Sequence, residues 1–219
     1  MDEMSADVVP LAIAIAASPF TIIPAILLLF TARARATSLA FLATWLVALA
    51  AGATAFVLLA SAIEAFEETP TWLSWTRIVL GAVLIVLGIR QWLARGTPKP
   101  TPAWMHRIES ATPRKAVRLA VLLAYANPKV LLLTAAAGLS IGAAELDTAG
   151  TAGAIAVFTV VAALSVAVPV LLYAALGERM LGPLTRIRDW LERNNAVVMS
   201  IVITVIGVMV LVEGVSGVS

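Results

Sequence analysis

The chain has 219 residues, of which 61% are hydrophobic and 13% charged, with a mean hydropathy of +1.00 and a formal net charge of +2. A soluble domain carries about 45–50% apolar residues, so this balance excludes an ordinary water-soluble fold and predicts an all-α integral membrane protein. No cysteine is present and the single histidine, His106, has no ligand-type neighbour at metal-site spacing, which excludes thiol chemistry and a zinc centre.

Six apolar stretches are each long enough for a hydrocarbon core of about 30 Å. The first, residues 8–30, carries Ser18-Pro19 with Thr21 and Pro24 close behind. Its acidic leader MDEMSADVV lacks the basic start of a secretory signal, so this span is expected to be retained. The second and third are residues 38–63 and 73–93, with Trp72 and Trp75 at an aromatic belt. Residues 96–114, opening on Gly-Thr-Pro-Lys-Pro-Thr-Pro, read as a linker. The fourth, residues 119–141, contains Asn127-Pro128-Lys129, and the fifth, residues 149–176, contains Pro169. Residues 178–194 place Leu184, Ile187 and Leu191 at helical spacing among Arg179, Arg186, Arg188 and Arg193, the pattern of an interfacial amphipathic helix or of a basic loop anchored by Trp190. The sixth is residues 196–212. The expected organisation is a first three-helix repeat over 1–95, a linker over 96–114 and a second repeat over 115–219.

Charge placement orients the chain. Of the 15 basic residues, all but Arg77 and Lys129 fall in the segments after the first, third and fifth spans. Of the 13 acids, all but Glu109, Glu178, Asp189 and Glu192 fall on the other side, among them Glu64, Glu67, Glu68, Glu145 and Glu213. Lysine and arginine bias sets topology, which puts the basic loops in the cytoplasm and both termini outside. It also accounts for a pI near 9.4 without nucleic acid, for which no aromatic-basic motif is present.

Lys129 lies ten residues into its span, close to the bilayer midplane. A cation there costs at least about 2.5–3.5 kcal/mol, so it marks a functional site, with snorkelling to an interface as the structural alternative. Pro128 removes an N–H from the helix ladder and turns Asn127 away from helical dihedrals. A shift of 109 residues lays Ser18-Pro19 on Asn127-Pro128 and the second span on the fifth. Three spans per half make the halves enter from opposite sides. Interrupted helices at matching places are the mark of an inverted repeat with a midplane site. The fold expected is therefore six transmembrane helices as a 3+3 inverted repeat with broken first and fourth helices. Its candidate substrate-binding residues are Ser18, Pro19, Thr21, Pro24, Asn127, Pro128 and Lys129. No catalytic or metal-binding constellation can be assembled, so neither enzyme chemistry nor a cofactor is expected.

On these residues the chain resembles a known family. The six spans, the Ser-Pro and the Asn-Pro-Lys resemble the lysine-exporter superfamily. The stretches SPFTIIPAILLLFTARARATSLAFLATW and LLAYANPKVLLLTAAAGLS are similar to the actinobacterial sulfolipid- and glycopeptidolipid-addressing proteins. The resemblance implies delivery of surface glycolipids across the inner membrane alongside a larger lipid transporter, and a homodimer. Amino-acid exporters of the superfamily have Pro-Gly-Pro in the first helix where this chain has Ser18-Pro19-Phe20, which points to a different substrate. Three readings stay open at this point: a transporter or accessory for an anionic or amphiphilic lipid, a small-molecule exporter for amino acids or ions, and a scaffold that recruits a larger transporter.

Overall fold

The computed structural model describes residues 2–63, 71–93, 111–144 and 146–216, and every described element is helical. The linker around His106, and Glu64, Glu67, Glu68 and Glu145, lie outside the described residues, as do the side chains of Trp72, Trp75, Arg77 and Glu213. The helices are α1 (Asp2–Ala16), α2 (Pro19–Leu28), α3 (Ala34–Ile63), α4 (Thr71–Leu93), α5 (Pro113–Tyr125), α6 (Pro128–Gly142), α7 (Thr148–Leu176) and α8 (Leu181–Ser216), with a 3-10 turn at Gly177–Met180. Two stretches, Ala34–Ala60 and Thr148–Leu191, are long and apolar enough to cross a membrane. The pairs α1–α2 and α5–α6 pass the same test when each pair is taken as one bent span, which makes four. The third and sixth expected spans are helical as α4 and the later part of α8.

The chain forms two compact units. The first, Met1–Glu64 with Thr101–Asp189, holds both bent pairs and both long helices. Within it α1 and α2 pack on α7, α5 and α6 pack on α3, and α3 packs on α7. Each bent pair thus lies on the long helix of the opposite half. Glycine makes the α3–α6 contact possible: a Cβ on Gly138 would fall 2.6 Å from the Ala53 carbonyl oxygen and from Phe56 Cβ, and one on Gly142 would fall 2.5 Å from Ala60 Cβ. Packing of this closeness is the usual way membrane helices associate, since lipid offers no hydrophobic drive between them. At the end of α2, Ile26, Leu29, Ala34, Tyr173 and Leu184 form a buried cluster that ties the start of α8 to α2 and α7.

The second unit, Ala65–Pro100 with Trp190–Ser219, contains α4 and the later part of α8. Gly81 faces the Gly207 carbonyl and the Leu211 amide, and Gly88 faces Thr204. The small residues of α4 are therefore spent on packing inside the chain. The Ala149-xxx-Gly153 face of α7 is different, because a Cβ on Gly153 would meet nothing within 4 Å. The amphipathic segment is helical from Leu181 and runs unbroken into α8; Leu184 and Leu191 are buried, whereas Ile187 and Trp190 are exposed.

Candidate functional site

Both breaks follow from X-Pro chemistry. Proline lacks an N–H and crowds the residue before it out of the helical region. Ser18 accordingly sits at φ −77°, ψ 119° and Asn127 at φ −86°, ψ 108°, each followed by proline as the first residue of the next helix. The bends are 49° at Ser18 and 65° at Asn127.

At the first break the Ser18 carbonyl accepts from the Thr21 hydroxyl at 2.7 Å and from the Thr21 amide at 3.1 Å. Thr21 thereby closes the break locally. Pro19 and Pro24 are buried in α2. The Ser18 hydroxyl is fully buried and has no partner among the described residues, although serine at a helix start usually caps it. At the second break Asn127 does cap, its Oδ1 accepting from the Lys129 amide at 3.1 Å, while the Asn127 carbonyl accepts from the Leu131 amide at 3.0 Å. At the breaks the Ser18 and Asn127 carbonyls and the Lys129 amide have partners. The Lys129 side chain does not: its Nζ is shielded by protein and has no hydrogen-bond partner among the described residues.

That placement bears on the snorkelling alternative, which requires the ammonium to reach an interface. Instead it is enclosed beside the positive end of α6, where a cation is disfavoured unless an anion joins it. The carboxylates of the chain offer no remedy nearby in sequence, since α5 and α6 contain none. Among the described residues no group of three or more His, Cys, Asp or Glu side chains forms.

The hydroxyls divide into two sets. Thr44 and Thr54 donate to carbonyls one turn back, at 2.8 Å each, as packing residues do. Thr134, Thr159 and Ser165 are buried without a partner among the described residues. Pro169 is buried in α7, which continues through it.

Two residues escaped the sequence reading. Tyr125, the last residue of α5, donates its hydroxyl to the Ala48 carbonyl of α3 at 2.8 Å and so pins the second break to that helix. Its ring lies beside Gly52, where a Cβ would come within ordinary contact of it at 3.5 Å. Trp45 of α3 is wholly buried, stacks on Phe41 with ring centroids 6.2 Å apart, and leaves its Nε1–H without a partner among the described residues. The available signal was its depth: tryptophan belongs at the ends of spans, and this one stands seven residues inside the second.

No curated protein and no solved structure matched the chain. One family model did, over residues 8–216, and its span includes both broken pairs, both long helices and Lys129. By that match the chain belongs to the Sap family, the sulfolipid-1-addressing proteins.

Proposed function

We propose that the chain is a multi-pass inner-membrane transporter, or the membrane subunit of a transport assembly, for an anionic amphiphile such as a cell-envelope lipid or its precursor. In this reading the six spans form a 3+3 inverted repeat with both termini outside, and the α5–α6 break holds the anionic group near the midplane. A larger lipid transporter and a second copy of the chain are its proposed partners. The observation that carries it is the enclosed Lys129 ammonium in the first turn of α6, without a partner among the described residues. Packing of each bent pair on the long helix of the other half supports the repeat, because a two-fold exchange of the halves interchanges those contacts. The family name, which ties its members to addressing a sulfolipid, supports an anionic amphiphile over an amino acid.

The test is Lys129→Met, which keeps the stem and removes the charge. Mass spectrometry of anionic lipids extracted from the cell surface should show delivery falling at least about tenfold, with the protein still monodisperse in mild detergent. Lys129→Arg should fail to restore it, because a planar fork does not replace a compact ammonium. Delivery at the wild-type level by a folded Lys129→Met protein would overturn the reading.

A further inference from the structure

The contacts along α3 and α6 fix how the helices lie against each other. Gly142 abuts Val57 and Ala60, Gly138 abuts Ala53 and Phe56, and Thr134 abuts Gly52. Each step toward the start of α6 is matched by a step toward the start of α3, so the two run parallel. Seven residues before Thr134 is Asn127, and seven before Gly52 is Trp45. Seven residues make about two turns, with a drift of only about 20°. Trp45 therefore lies on the α6-facing side of α3, level with the break. Tyr125 gives an independent check: its hydroxyl, two residues before the break, bonds Ala48, one turn from Trp45.

We propose that the Trp45 indole N–H is a second side-chain donor of the α5–α6 site, binding an acceptor oxygen of the anionic head group whose charge Lys129 meets. The proposal rests on the reading of that break as an anion site. Its further support is chemical. An indole N–H and an ammonium only donate, and both are buried with no acceptor among the described residues. A buried donor left empty is costly, and two at one level of the unit are relieved together by a group presenting several acceptor oxygens and no proton to give away. A sulfate ester and a phosphate ester share that chemistry. A quaternary ammonium head group lacks it.

The experiment uses the full chain in maltoside micelles doped with dodecyl sulfate, dodecyl phosphate or dodecyltrimethylammonium. Calorimetry should show saturable binding of the sulfate and the phosphate and none of the cation. Trp45→Phe keeps a ring against Phe41 and removes the donor, and it should weaken both anions about tenfold or more. Because that variant changes packing too, a second chain keeps Trp45 and carries phenylalanine at Trp72, Trp75, Trp92, Trp104 and Trp190. Its emission should shift as the anion saturates. Anion binding that needs Lys129 but is unchanged by Trp45→Phe, or that leaves the Trp45 emission unmoved, overturns this proposal and leaves the reading of the break standing. No preference of the wild-type chain for either anion over the cation overturns both.

Discussion

The two broken helices use one backbone device for different ends. Offset by 109 residues, Ser18-Pro19-Phe20 matches Asn127-Pro128-Lys129, and the position matching Trp45 is Ala154. The first break is sealed: Ser18 is inaccessible, Thr21 bonds back to it, and most of α2 is buried. The second bends further, leaves Pro128 exposed, and carries an ammonium with nothing to donate to among the described residues. A proline break alone does not make a site. At both breaks the carbonyl before the proline is taken up by the helix that follows, and the difference lies in which side chains are left without a partner among the described residues.

The halves also differ in how they are packed, and the largest expected effect comes from erasing that difference. Position 138 is glycine against the α3 backbone, whereas its counterpart, Leu29, fills the buried cluster with Ile26 and Tyr173. Gly138→Leu should drive α6 off α3. Overpacking against side chains typically costs about 1–3 kcal/mol, and here the obstruction includes a carbonyl oxygen that cannot rotate away. The expected result is loss of monodisperse protein on size exclusion, or a thermal midpoint far below the wild type. Gly153→Leu, on the open face of α7, should leave both unchanged. Equal tolerance of the two substitutions would mean that α3 and α6 are not in close contact, and the register that places Trp45 would fall with it.

Much of this was legible in the sequence and some of it could not have been. Hydropathy and the Ser18-Pro19 and Asn127-Pro128 steps marked the two breaks, because proline removes an N–H and crowds the residue before it, yet Pro10, Pro24 and Pro169 stand inside helices that continue through them, so proline alone does not decide where a helix breaks. The family resemblance was carried by the same short stretches. Lys129 stood out for the same local reason, a charge where hydrocarbon should be. Tyr125 and Trp45 did not stand out as site residues, since their significance depends on α3 and α6 running parallel in one register, which is a property of packing. Thr21 and Asn127 were legible as positions but not as roles. Whether a side chain closes a break or faces a ligand is decided by dihedrals that the sequence does not print. The role of Gly81 and Gly88 likewise depends on packing, since both lie against α8 of their own chain.

The sharpest small test contrasts the two ways of closing a break. Asn127→Ala removes the side-chain acceptor that satisfies the Lys129 amide, and in a membrane interior that N–H has no water to turn to. Loss of such a cap typically costs about 1 kcal/mol. Thr21→Val removes a donor instead, and the Ser18 carbonyl it served still accepts from the Thr21 amide and, at 3.4 Å, from the Ile22 amide. Side-chain hydrogen bonds in membrane helices average about 0.6 kcal/mol, and with two acceptor contacts remaining this one should fall at or below that value. Thermal unfolding of the two variants in the same detergent should therefore rank Asn127→Ala below Thr21→Val, with the latter close to wild type. Surface delivery should follow a different order from stability only at the second break. Asn127 orients the backbone that carries Lys129, so Asn127→Ala should lose more delivery than its change in melting temperature explains, while Thr21→Val should lose none. The reverse ranking in both measurements would make the first break the working one and the Lys129 side merely structural.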